Sequence, residues 1–585
     1  MLARSPTFWL RLAPALGALV SLTVFQFDFF MDDLLQLAVV QGLWDGPRGQ
    51  WELFTFGAGD ASIMRPYLEN GPMPWWTLPE LRLAFFRPLA SLLAHFDVWA
   101  FGQNAALFKL HSIAWYAALI AAFASVARRT LALPVAALAA VLFAVDDVHW
   151  MPVAWWANRN ALVATLPTVL GLGAYVRWAQ DGWKPGAWLA PMGLAVGLCG
   201  GEMALSSLAY PVAFEVFASR DEFKKRALRL APLFAVVAVW AGLYRTWGFG
   251  AYGSGIYVDP GASPLTYLSL AFPRAMALAS SQFFALSSDL WLAVPALHPV
   301  YLLLGLAASA GVVAGLVWLK GRVDPQEHRH VVAWSAGATL AVMPQLATFP
   351  TDRLLLMPSL GAAVWVASML HALSKETAKA PRWVRGALIT LHLVLPLGPW
   401  LLNPRALGKI SSLHNHAVAA AFATPRPTSD RVVIVNAPDP VVAFYSDFAR
   451  SYLGLGRAST QWALSFAPYD HRLTRVSDRA LELEVLGGRM LESVFEQLVR
   501  SPDFPLPVGH TTTFKGLSVE VLEVAGGLPT RIRATFDAPL ESHDFLTFAH
   551  GVLTPLTLPE LSKSIVLPKQ QSLIDAALDP RGSDN

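Results

Sequence analysis

Apolar runs of bilayer-spanning length, roughly 17 to 25 residues each, follow one another through the first 400 residues of the chain, separated by short polar stretches. This pattern predicts eleven transmembrane helices, at about 8–28, 104–127, 130–146, 160–178, 187–201, 203–219, 228–247, 297–319, 331–349, 354–374 and 385–402. Basic residues test the count, because short cytoplasmic loops are enriched in Lys and Arg. Arg4 and Arg11, Arg128 and Arg129, Arg177 and Lys184, the Arg220–Arg229 cluster with Lys224, Lys225 and Arg226, then Lys320, Arg322 and Arg329, and finally Lys375, Lys379, Arg382 and Arg385 all fall on one side. An odd number of spans with a cytoplasmic N-terminus then puts everything after the last helix outside, in the periplasm if the cell is Gram-negative. The least certain step is 187–219, where two short runs flank Gly200-Gly201-Glu202; a single helix there would invert all that follows, and the basic cluster after it argues for two. The first run resembles a secretory signal, but Phe25-Gln-Phe-Asp-Phe-Phe30 follows it in place of a small-x-small cleavage site, so it reads as an uncleaved helix.

Two outward loops are long. Loop 29–103 holds amphipathic pieces at Leu34–Leu43 and Pro88–Trp99, with Trp51, Trp75 and Trp76 of the kind that settle at a membrane interface. Loop 248–296 carries a mostly apolar helical stretch, Pro264–Leu290. From about Pro404 the pattern changes to that of a soluble domain: strands at Arg431–Asn436, Ala480–Leu486, Leu517–Val524 and Thr530–Phe536, with a helix at Val441–Tyr452. The predicted architecture is therefore mainly α, a polytopic membrane domain over 1–403 followed by a small extracytoplasmic α/β or α+β domain over 404–585. No internal repeat and no Walker, Rossmann or zinc-finger pattern is visible.

Composition agrees with this picture. Hydrophobic residues make up 55% of the chain and charged residues 15%, against roughly 25% charged in soluble proteins. A net charge of +3 offers nothing for nucleic-acid binding, and the single cysteine, Cys199, can form neither an internal disulfide nor a thiolate metal site.

The chemistry-bearing residues cluster at outward helix ends. Asp32 and Asp33 close the first helix, and a carboxylate in a partly desolvated site there can act as a general base toward an acceptor hydroxyl; a pair simply facing water is the plain alternative. The outward turn Leu142–Arg159 brings Asp146, Asp147, His149 and Arg159, and the next outward turn brings Glu202. Asp-Asp-x-His matches no specific ligand spacing, so support for a divalent metal is weak and the sequence requires no cofactor. Arg87 and Arg353 are the leading phosphate candidates, since a guanidinium fork matches phosphate oxygens in pairs.

Taken in order, these pieces resemble the GT-C superfamily of integral-membrane glycosyltransferases, in particular the protein O-mannosyltransferase branch that combines transmembrane helices with tetratricopeptide repeats. The resemblance rests on Asp32-Asp33, Arg87-Pro88-Leu89, Leu142–Arg159, Gly200-Gly-Glu-Met-Ala204 and Arg353-Leu-Leu-Leu-Met-Pro-Ser-Leu-Gly361, and covers about residues 8–400. Departures are specific. Asp146-Asp147 replaces a His-Pro, Met151 a Glu, Asn158 a Gly and Gly201 a Lys, and the repeats are absent. What the resemblance implies is an inverting transfer from a polyprenyl-phosphate-linked sugar donor to an acceptor protein, lipid or polysaccharide, in the bacterial inner membrane. Asp32 would be the base and Asp33 its neighbour, with Arg87 and Arg353 on the phosphate; Asp146, Asp147 and His149 would shape the sugar or acceptor pocket, with Arg159 and Glu202 on the same face. The alternatives are a transporter or flippase using the carboxylates as relays, and a non-catalytic relative that binds a lipid or partner.

Overall fold

The structure, a computed structural model, describes residues 5–375, 382–422 and 430–578. Arg4 and Lys379, two of the residues used to orient the loops, lie outside them. The chain divides into two compact units: residues 1–26, 85–247 and 259–405 form the first, and residues 27–84, 248–258 and 406–585 the second.

The first unit is built from helices. Six helical stretches among the described residues are long and apolar enough to cross a membrane: Pro6–Gln26, Ala105–Thr130, Trp156–Asp181, Phe223–Thr246, Pro295–Leu319 and Arg382–Phe422, whose last turns run on past the first unit. A bent pair, Leu133–Val145 with Asp147–Ala154, would make a seventh. The other expected spans are helices of a different kind. Gly186–Gly200 is short, Glu202–Ala218 passes from 3-10 to α to π geometry, and Pro325–Ala341 and Pro358–Lys375 carry more polar side chains. Apolar runs read from sequence do not distinguish a full-length span from a short, broken or more polar helix, and six of the eleven meet the requirement of length and apolarity among the described residues.

Lipid-type surfaces are evident on the unit. On Pro295–Leu319, Leu303, Val313 and Val317 are each more than 60% exposed, a row of apolar side chains that water would not tolerate. Small residues seat the inner helices. A Cβ on Gly197 would come within 2.7 Å of the Ala164 carbonyl, and one on Gly193 within 2.6 Å of the Pro167 carbonyl, so the helices Gly186–Gly200 and Asn160–Asp181 touch backbone to backbone.

The second unit gathers residues 27–84, most of the loop after the first helix, with residues 248–258 and the C-terminal residues. Strands Thr55–Ala58, Arg82–Ala84 and Gly250–Tyr252 form a three-stranded antiparallel sheet. A six-stranded antiparallel sheet runs in the order Ser564–Leu567, Asp470–Arg475, Ala480–Leu486, Leu528–Phe536, Leu517–Ala525, Thr511–Phe514. Leu517–Ala525 alternates buried and half-exposed residues through its first six positions, the period-two signature of a sheet with one covered face. In a four-stranded sheet, Arg431–Ile434 pairs in parallel with both Thr460–Ala463 and Asp544–Ala549. The helix Pro440–Tyr452 makes the crossover that a parallel pair requires.

Trp75 and Trp76, expected at a membrane interface, are buried instead, 3% and 2% exposed. Their indole N–H groups donate to the Leu464 and Glu496 carbonyls at 2.9 and 3.2 Å, so a buried hydrogen-bond partner replaces the half-wet setting that such side chains otherwise occupy. Only Trp51 is well exposed, at 60%.

Candidate functional site

In the second unit, Asp32 and Asp33 open the helix Asp32–Val40, where the unpaired N–H groups and the positive end of the helix dipole favour carboxylates. Their environments differ. Asp33 is fully buried and its Oδ2 accepts the Phe30 N–H at 3.1 Å, closing the turn that leads into the helix. Asp32 is half-exposed, and its Oδ1 accepts a 2.5 Å hydrogen bond from the Tyr445 hydroxyl. Between the irregular run at 27–30 and Asp32 stands Met31, at φ +47° and ψ −114°, a backbone region that side-chain-bearing residues rarely enter. Tyr445 lies on the helix Pro440–Tyr452, which Asp439 caps by accepting the Val442 N–H at 3.1 Å. Burial first, and the Asp32 carboxylate next, push the Tyr445 phenol well above its ordinary range, so it stays a donor.

The first unit holds the remaining candidates in three groups. Arg87 Nε pairs with Glu202 Oε2 at 3.0 Å, and the Tyr244 hydroxyl donates to Glu202 Oε1 at 3.3 Å. The guanidinium also lies over the Phe85 ring, 4.8 Å from its centroid. Arg87 and Glu202, 115 positions apart in sequence, are thus one half-buried ion pair.

The turn after Leu133–Val145 contributes the second group. Asp146 accepts the Val148 N–H at 3.3 Å and the Gln282 amide at 3.2 Å. Asp146 and Asp147 line a half-open cleft with Ser281, Gln282 and His392, backed by Leu142, Ala362 and Val366. His149 is fully buried, with one ring nitrogen 2.9 Å from the Tyr116 hydroxyl and the other 2.8 Å from Ser359 Oγ. Arg159 is also buried and pairs with Asp97, a carboxylate that additionally accepts from the Trp156 indole at 3.0 Å and meets His111 Nδ1 at 2.6 Å. His149 and Arg159 are therefore knitted into the packing, while Asp146 and Asp147 line open space.

Arg353 belongs to the third group, in the turn Asp352–Leu355. Its Nε donates to Thr351 Oγ1 at 3.3 Å and its guanidinium lies 5.5 Å from the Trp155 ring centroid; among the described residues its two Nη groups make no hydrogen bond. Asp352 fixes this turn. Its carboxylate accepts from Ser281 Oγ at 2.6 Å, Ser287 Oγ at 2.6 Å, and both the backbone N–H and the hydroxyl of Ser288 at 2.7 Å. The Asp352 N–H donates to Asp289 Oδ1 at 3.2 Å. Burial, and then the neighbouring Asp352 charge, raise the Asp289 carboxyl to about 7.

Asp97, Asp289, Asp352, Gln282 and Tyr445 are absent from the sequence-derived candidates. Asp97 sits in an otherwise apolar helix, and the run Ser287-Ser288-Asp289 interrupts an apolar stretch; both are local signals of buried polar structure. Tyr445 carries no such signal. Among the described residues no group of three or more His, Cys, Asp or Glu side chains is arranged to hold a metal ion.

No family model matches the chain, and no curated protein does. Among solved structures it is similar to the oligosaccharyltransferase of Archaeoglobus fulgidus carrying a tethered acceptor peptide with the NVT sequon, at 13% identity and a TM-score of 0.39 over 78% of this chain and 64% of that one. It is also similar to ArnT from Cupriavidus metallidurans bound to undecaprenyl phosphate, at 12% identity and a TM-score of 0.40 over 79% and 90% of the two chains. The chain thus spans less than two thirds of the archaeal enzyme's length. A likeness this distant assigns no residue a role.

Proposed function

We propose that the chain is an inverting glycosyltransferase of GT-C type, moving a sugar from a polyprenyl-phosphate-linked donor to an acceptor on the outer side of the inner membrane. The observation that carries this reading is the state of Asp32: a half-exposed carboxylate at a helix N-terminus, with one oxygen held by a phenol that stays protonated. Such a group is oriented and in part solvent-exposed, as a general base must be. The collinear sequence motifs around it supply the reaction class.

In this reading Asp32 takes the proton of the acceptor group as its heteroatom attacks the anomeric carbon. The carbon–oxygen bond to the lipid phosphate breaks, the phosphate leaves with the electron pair, and the anomeric configuration inverts. No protein nucleophile is needed. Arg353, whose Nη groups make no hydrogen bond among the described residues, is the first candidate for the phosphate, and Arg87, whose charge Glu202 already balances, the second. Asp146 and Asp147 are candidates for the sugar or acceptor hydroxyls. Asp33 holds the backbone beside Asp32 in the second unit, and His149, Arg159 and Glu202 hold neighbouring side chains within the first. The membrane helices are the transferase scaffold, and the C-terminal residues an extracytoplasmic domain.

The test is transfer from a radiolabelled polyprenyl-phosphate sugar in membranes carrying the Asp32→Asn protein. Product should fall by about a thousandfold or more. Product at the wild-type rate would remove Asp32 as the base, and no product from the unaltered protein would leave lipid transport or simple lipid binding as the better reading.

A further inference from the structure

The domain after the last membrane helix has no motif that suggests chemistry, yet it supplies a hydrogen-bond partner of the proposed base. On the helix Pro440–Tyr452, residues 445, 448 and 452 follow i, i+3, i+7 spacing and share one face. All three meet the segment around Asp32. The Tyr452 ring packs edge-on against Phe29 at 5.7 Å between centroids, and the Phe448 ring packs edge-on against Trp44 at 5.4 Å. Between these two locks the Tyr445 hydroxyl reaches Asp32 at 2.5 Å.

The helix itself is held at both ends. At its start Asp439 accepts the Val442 N–H at 3.1 Å and the Leu573 N–H at 2.7 Å. Beyond its end Arg457 pairs with Asp447 at 3.2 Å, donates to the Leu43 carbonyl and lies 4.1 Å from the Trp44 ring centroid. Ser411 adds a 2.9 Å hydrogen bond to the Phe29 carbonyl. A side chain placed with this much support is an instrument of position, whereas a surface cap would need only the aromatic contacts.

We infer that Tyr445 is a positioning residue for the transfer reaction: its hydroxyl holds Oδ1 and so fixes the rotamer of the Asp32 carboxylate. The C-terminal domain is then part of the catalytic apparatus. This inference rests on the proposed glycosyl transfer with Asp32 as base. It also accounts for Met31: a strained backbone turns the helix start, and the phenol captures the carboxylate that results.

The decisive variant is Tyr445→Phe, which deletes one oxygen and keeps the ring packing. The groups facing the phenol are Asp32, Asp33 and Tyr257, with Asp447 paired to Arg457 on the same helix. Loss of a hydrogen bond to the charged carboxylate should lower kcat about tenfold or more with KM for the lipid donor little changed, and move the acid limb of the pH–rate profile upward by about one unit. A Tyr445→Phe enzyme with unchanged kcat and an unchanged acid limb, while Asp32→Asn is inactive, would overturn the positioning role and leave the transferase reading standing. Activity retained in Asp32→Asn would instead remove Asp32 as the base, and absence of transfer by the unaltered protein would overturn the transferase reading. A second measurement needs no turnover: with 3-fluorotyrosine at position 445 in the full-length protein, the fluorine resonance should shift when Asp32 is replaced by Asn, and an unshifted resonance would show that the hydrogen bond does not exist.

Discussion

Two adjacent aspartates with the same side chain do different work because one is covered and the other is not. Asp33 spends its carboxylate on the Phe30 N–H inside the protein, so Asp33→Ala should lower stability by about 1–2 kcal/mol, as loss of a helix cap does, and be visible as a lower Tm of the purified protein. Its effect on the chemical step should be small beside that of Asp32→Asn. Arg353 argues the other way. Its Nε is tied to Thr351 and its plane lies over Trp155, an arrangement that a lysine cannot reproduce. Arg353→Lys should therefore raise KM for the lipid donor by about tenfold despite keeping the charge, measured by steady-state transfer at varied donor. None of this difference between neighbours shows in the bare sequence, where Asp32-Asp33 reads as a symmetrical pair and Arg353 as one arginine among several.

Single positions also decide how elements meet. Gly71 ends the helix Ala61–Asn70 at φ +97°, and a Cβ there would lie 1.8 Å from the Gln461 carbonyl oxygen. Gly71→Ala should cost more than about 2 kcal/mol and lower the yield of folded protein, since both the backbone angle and the space refuse it. The connection that holds Asp289 responds to pH. Its carboxyl ionises near 7 in the folded protein but near 3.8 when exposed, so the folded state binds the extra proton and stability declines as pH rises from about 4 through about 7. Asp289→Asn should remove that decline, which thermal unfolding in detergent at a series of pH values measures. The elements themselves were largely open to reading from pattern: the strand expected over 480–486 is observed over Ala480–Leu486, and the helix expected from 441 begins at Pro440. Broken helices were not, because 202–218 is as apolar as a straight span and only its changing hydrogen-bond pattern shows the interruptions.

For the molecule as a whole, what pattern could not reveal is partnership at long range. Arg159 finds Asp97 across 62 positions, Arg87 finds Glu202 across 115, and residues 27–84 join the C-terminal residues within the second unit. Periodicity reports which face of an element is apolar; it carries no address for the partner of a polar group. The proposed orientation can be checked directly, because the chain has one cysteine. In a Cys199→Ala background, Lys563→Cys, an exposed position, should react with a membrane-impermeant maleimide applied to intact spheroplasts. Labelling only after lysis would place the C-terminal domain in the cytoplasm.

The Asp32–Tyr445 hydrogen bond joins residues 413 positions apart, and that distance is also a delay. A ribosome adding roughly 5–20 residues per second needs about 20–80 s to travel from one to the other. Throughout that interval the nascent chain can insert its helices but has no phenol to set the Asp32 carboxylate. Under the proposed reaction the arrangement works as a completion check: a chain truncated before residue 445 would keep its membrane helices and carry an unaimed base.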